Sequence, residues 1–87
     1  MSYQMISEEF TIAQTAVKII SSQNFEQEVY IHNEHGNKVY LGGSDVSSTN
    51  GFHLDNDTNI NIKIPQDNEL YAIAASGSGD IHILRPR

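Results

Sequence analysis

Cysteine is missing from this sequence altogether. That excludes a disulfide framework and any cysteine-based zinc site, and it fits synthesis inside a cell. Basic residues are scarce: five lysines and arginines stand against eleven aspartates and glutamates, for a net charge of −6. Phosphate binding needs a basic surface, so no nucleic-acid partner is expected. Arg85 and Arg87 form the one basic cluster and do not reverse the total. No apolar run approaches the length of a membrane span, so no membrane partner is expected. Met1–Ile6 lacks the charged and apolar regions of a signal peptide, and none is expected there. Tryptophan is also absent, which counts against a flat aromatic platform for sugars.

The 87 residues make one domain. A chain this short buries only about 60% of its unfolded surface, near the lower limit for independent stability. Without disulfides, assembly with other chains is the favoured support, and a compact core alone is the alternative.

Residues 1–15 read as an N-terminal arm or first strand, and residues 16–87 as the body. Phe10-Thr-Ile12 and Ala16–Ile20 are short pieces rich in β-branched residues, which favours strands. A helix over Glu8–Ile20 is the rival reading, since Ile12, Ala16 and Ile19 or Ile20 fall near helical spacing. Phe25, Gln27, Val29 and Ile31 alternate onto one face. The turn Asn33–Asn37, with Gly36-Asn37 suited to positive φ, then leads into Lys38–Leu41, so Phe25–Leu41 predicts a β-hairpin. Asn59–Ile64 alternates strictly, with Ile60, Ile62 and Ile64 inward, and Pro65 ends it. Leu70–Ala75 is apolar on both faces and suits a central strand. Ser76–Gly79 is a tight turn, and Asp80–Leu84 alternates before Pro86. The expectation is an all-β antiparallel sandwich of about six to eight short strands with an extended N-terminal arm. Its expected core is Phe10, Ile12, Val17, Ile19, Val29, Ile31, Val39, Leu41, Val46, Phe52, Leu54, Ile60, Ile62, Ile64, Leu70, Ala72, Ala74, Ile81 and Ile83.

The stretch between Val39 and Leu54 organises the rest. It runs as a strand, breaks at Gly42 and Gly43, turns through Ser44, Asp45, Val46 and Asn50, and resumes after Gly51 at Phe52. Gly42 or Gly43 is expected at positive φ, which glycine enters without a Cβ penalty. Ser44, Asp45, Ser47 and Asn50 are placed to satisfy backbone amides, and Val46 to plug the corner into the core. Tyr71 and Ile73 lie opposite Leu70, Ala72 and Ala74, which leaves a second apolar face to be covered. Met5, Ile6, Phe10 and Ile12 are the other candidate interface residues.

Candidate chemistry is sparse. His32 and His35 flank Glu34, but a strand end and a turn do not make two side chains converge as a helix face does. His53 and His82 alternate against apolar neighbours and are expected to face outward. No metal site or cofactor is therefore expected. Asp55-Asn56-Asp57 lacks the glycine and distant glutamate of a calcium loop and reads as a solvated turn. Ser44 beside Asp45 is no nucleophile and base, and Ser76–Gly79 has no following lysine to make a phosphate cradle. No catalytic residue is assigned, and an enzyme is not expected. Tyr30, Tyr40 and Tyr71 leave a ligand- or carbohydrate-binding module as the alternative from another class, with a plain aromatic cluster the commoner outcome.

Val39–Val46 (VYLGGSDV), followed by Asn50-Gly51-Phe52 and Leu54, and later Glu69–Ala75 and Ile81–Leu84, resembles a group of small β-sandwich virion proteins of tailed bacteriophages. With Val29–Asn33 the likeness spans residues 28–84. Asp55-Asn56-Asp57 stands where that pattern carries a glycine turn. The resemblance implies a structural protein of the virion, made in the host cytoplasm, that acts by protein–protein contacts and not by catalysis. A capsid decoration or cement protein is the form expected, with a head–tail or tail or fibre accessory protein as the alternative. It implies a homo-oligomer, a trimer by analogy, and a larger phage partner such as the major capsid protein.

Overall fold

A computed structural model describes residues 5–86. Among them are eight strands and no helix: β1 (Met5–Ile12), β2 (Val17–Ile20), β3 (Gln27–Glu34), β4 (Val39–Gly42), β5 (Phe52–Leu54), β6 (Asn59–Ile64), β7 (Leu70–Ala74) and β8 (Gly79–Pro86). The strand reading of residues 8–20 holds over the helical one. Of the two readings of the N-terminus, residues 5–12 are a first strand paired with β8 along their whole length. Residues 1–4 of the expected arm lie outside the described residues.

Side chains alternate across a strand, and burial follows that period: inward and outward residues alternate along β3, β4 and β7. Two four-stranded sheets stack, with orders β1-β8-β3-β6 and β2-β7-β4-β5. All pairs are antiparallel. This strand order, in which consecutive strands repeatedly change sheet, is that of a jelly roll. It overturns the expected hairpin. β3 pairs with β6 and β8, β4 pairs with β5 and β7, and the turn between β3 and β4 crosses from one sheet to the other. A short turn between two strands looks the same in sequence whether they pair or face each other across a core.

The core joins Ile12, Ile19, Ile20, Val29, Ile31, Val39, Leu41, Leu54, Ile64, Leu70, Ala72, Ala74, Ile81 and Ile83, with Phe10, Val17, Ile60 and Ile62 packed against it. Ile20 joins because the register shifts between Lys18 and Ile20, and this irregularity lets two neighbouring isoleucines both turn inward. Phe25 precedes β3 and is exposed. Phe52, expected inside, is 63% exposed. It opens a three-residue edge strand, and only Leu54 of that strand reaches the core.

One end of the sandwich is held by polar groups. Asn33 is fully buried, and its Nδ2 donates to Asn37 O and Leu54 O, both at 2.9 Å. Its Oδ1 accepts from His35 N at 2.7 Å. Its backbone N–H donates to Thr58 O, and its carbonyl accepts from Asp57 N. Asn33 thus ties the β3–β4 turn and the end of β5 with its following turn to one point. His35, which the sequence places in the turn after β3, is buried beside it with Nε2 2.8 Å from Ile12 O.

Candidate functional site

The corner between β4 and β5 is built largely as its composition implies, for a different reason at its glycines. Ser47 N donates to Asn50 Oδ1 at 2.8 Å, and Ser47 Oγ accepts from Thr49 N and Asn50 N. Ser44 and Asp45 make no such bond among the described residues. Gly42 and Gly43 do not take positive φ; the glycines that do are Gly36 and Gly77. The expected backbone role at Gly42 is replaced by one of clearance. A Cβ on Gly42 would lie 2.9 Å from Val46 Cγ2. A Cβ on Gly51 would lie 2.6 Å from Tyr40 Cβ and 2.9 Å from both Ser47 O and Val46 Cγ2.

Those contacts also relocate Val46. Gly42 and Tyr40 alternate with inward Val39 and Leu41, so they point away from the core. Val46 is buried on that outer face, in the notch left by Gly42 and Gly51, and it is not part of the core cluster. The corner therefore folds back over its own sheet. We expect Gly42→Val to cost about 1–3 kcal/mol by overpacking against stiff, β-branched Val46. Gly43→Ala should stay within about 0.5 kcal/mol, because a Cβ there meets only Asp45 Oδ1, at 3.4 Å. Urea unfolding of both variants checks this, and equal costs would refute the clearance account.

The corner also bears on the second apolar face. Tyr71 and Ile73 are half-buried on the outside of the β2-β7-β4-β5 sheet, and Ile73 stands opposite Tyr40. Gly51 closes on Tyr40 from above, so part of the cover comes from the chain itself. The remaining interface candidates divide. Ile12 is fully buried and Phe10 packs against the core, so both belong to the interior. Ile6 shares their side of β1 and is half-buried, whereas Met5 is 52% exposed.

At Asp55-Asn56-Asp57, Asp57 takes φ 61°, a conformation that favours glycine. The turn is closed by Thr58 Oγ1 donating to Asp55 O at 2.6 Å, and Asn56 Oδ1 accepts from Gly36 N at 2.8 Å. Tyr30 lies in the opposite sheet from Tyr40 and Tyr71, so the three tyrosines form no single row.

The outward face of the β1-β8-β3-β6 sheet carries what the sequence did not disclose. A groove of about 710 Å³ opens there over Glu9, His32, Asn59 and His82, with Tyr30 and Leu84 along it. Tyr30 stands opposite Leu84, and His32 opposite His82. The histidine that sequence spacing offers as a partner for His32 is His35, which points into the core; the actual neighbour lies fifty residues away. No spacing rule reaches that far. The only signal in the sequence was the outward parity of His82 beside Ile81 and Ile83.

No family model matches the chain, and no curated protein matches it in sequence. Among solved structures, the fold matches a chain from Bacillus endospore appendages, described as forming a novel family of disulfide-linked pili. The TM-score is 0.67 at 15% identity, with 98% of this chain and 85% of that chain covered. Identity that low shows the fold: a small β-sandwich also used by an appendage protein. That neighbour is an appendage protein and not a phage protein.

Proposed function

We propose that this chain is a non-catalytic structural subunit that assembles in many copies, with itself or with a larger structural protein, into a particle or appendage outside the cell. The match to the appendage chain over almost the whole of both molecules is the observation that supports this most. The surface is compatible with it. Met5, Phe25, Tyr30, Phe52 and Leu84 are large apolar side chains left exposed, and exposed apolar groups are what protein–protein contacts use. Strands β1, β2, β5 and β6 are sheet edges, with backbone groups free to pair. Cysteine is absent, so these residues form no disulfide between copies, unlike the subunits of disulfide-linked pili. The finer form, a decoration protein on a tailed-phage capsid, rests on the likeness of residues 28–84 to such proteins, and a trimer as its unit rests on analogy with them.

Sedimentation at micromolar concentration, with electron microscopy of concentrated samples, tests the reading. Discrete oligomers or filaments are expected, and Phe52→Lys or Tyr71→Lys should weaken them. A monomer at every concentration, absent from purified particles and appendages and unchanged by either substitution, would leave the ligand-binding module as the better account.

A further inference from the structure

The corner between β4 and β5 holds the one Asn-Gly pair of the sequence, Asn50-Gly51. Asparagine is among the thermolabile side chains. A glycine after it leaves the next backbone nitrogen open to the side-chain amide, since no Cβ stands in the way. Here that glycine has no substitute. A Cβ at position 51 would meet Tyr40 Cβ, Ser47 O and Val46 Cγ2, all at 2.9 Å or less. The notch that seats Val46 therefore imposes the labile pair on the chain.

Both groups that would react are engaged in the folded corner. Gly51 N donates to Ser47 O at 2.9 Å, the bond of a single helical turn. Asn50 Oδ1 accepts from Ser47 N at 2.8 Å, and Ser47 Oγ accepts from Asn50 N at 3.3 Å. This exchange is that of a capping box, with asparagine in place of glutamate or glutamine. Asn50 Nδ2 donates to Asp45 O at 3.4 Å. The carboxamide is thus drawn back toward Ser47 and Asp45, while the Gly51 nitrogen directs its hydrogen at Ser47 O.

We propose that Asn50 is a self-modification site, held unreactive by the folded corner and released when the corner opens. In the open corner the Gly51 nitrogen gives its proton to a solvent base and attacks Asn50 Cγ. The Cγ–N bond forms, the Cγ–Nδ2 bond breaks, and Nδ2 leaves as ammonia with a proton from water. Water then opens the five-membered imide. Its attack at Cγ yields aspartate. Its attack at the backbone carbonyl carbon of residue 50 yields isoaspartate, in which the main chain runs through Cγ. Either product undoes the corner. Both lose the Nδ2 donor and add a negative charge to a chain already at −6. Isoaspartate also lengthens the backbone before Gly51, which then no longer fits its notch against Tyr40 and Val46. β5 begins at the next residue, Phe52, so the shift carries into the edge strand of that sheet.

Incubation of the full chain at mildly alkaline pH, in native buffer and in urea above its unfolding midpoint, tests this. Peptide mapping by mass spectrometry follows the change from amide to acid, and electron-transfer fragmentation separates aspartate from isoaspartate. In urea, Asn50 should convert before every other asparagine. In native buffer it should convert about tenfold or more slowly, because attack tracks the population of the open corner. Ser47→Ala removes the hydroxyl that holds Asn50 N. It should raise the native rate several-fold and leave the rate in urea unchanged, with circular dichroism showing that the variant is folded. The isoaspartate form, separated by chromatography, should melt below the unmodified chain. Equal rates in native buffer and in urea would overturn the protection, as would a folded Ser47→Ala that converts no faster. Conversion of another asparagine first in urea would overturn the site, and an isoaspartate form with unchanged melting would overturn its effect on the corner.

Discussion

Asn33→Ala is expected to cost about 3–5 kcal/mol, since it strands two buried backbone groups and a third, part-buried one at about 1–3 kcal/mol each. The groups are Asn37 O, Leu54 O and His35 N. Water cannot easily replace the lost amide, because Asn33 is fully buried. A domain of this length has a total stability of about 4–13 kcal/mol, so the loss is a large share of it. The melting temperature should fall by more than about 12 °C, at about 4–8 °C per kcal/mol for small domains. Asn33→Asp discriminates further. It keeps the acceptor for His35 N–H but sets a carboxylate oxygen against two carbonyl oxygens, and should be at least as damaging at neutral pH. Thermal unfolding followed by circular dichroism is the measurement. A fall of only about 4 °C for Asn33→Ala, the effect of about 1 kcal/mol, would mean that these bonds hold nothing together.

Gly79→Ala should be the most damaging of the glycine substitutions, at about 3 kcal/mol or more. A Cβ there would lie 2.4 Å from His35 O, 2.9 Å from His35 Cα and 3.0 Å from His35 C. All three are backbone atoms, so no rotamer change relieves the clash. Either β8 or the turn after β3 must move. Moving the turn breaks the same bonds that Asn33 makes, since His35 N is one of its donors. The two substitutions should therefore be non-additive: the double variant should cost less than the sum of the singles. Urea unfolding of the single and double variants measures this. Full additivity would show that β8 and the Asn33 turn are held independently.

These two positions show where sequence and tertiary structure divide the work. Period-two alternation is a local property, so β6 and β8, with their inward isoleucines, were readable from residues alone. So were the charge balance, the missing disulfides and the all-β class. Asn33 and Gly79 were not singled out, because a polar residue at a strand end and a glycine in a Ser-Gly turn have ordinary local explanations. Their importance comes from what packs against them from far along the chain. Gly42 shows the same limit: its composition signalled a glycine requirement, and only the position of Val46 showed that clearance, not backbone angle, was the cause. The strand order was beyond reach for a related reason. Alternation states which side of a strand faces inward and is silent on which strand lies beside it. The apparent hairpin at Phe25–Leu41 became a crossing between sheets, and that crossing sequence of strands set His82 beside His32. Pairing across fifty residues is chosen by the burial of the whole core at once, so only the folded structure could place those two rings on one face.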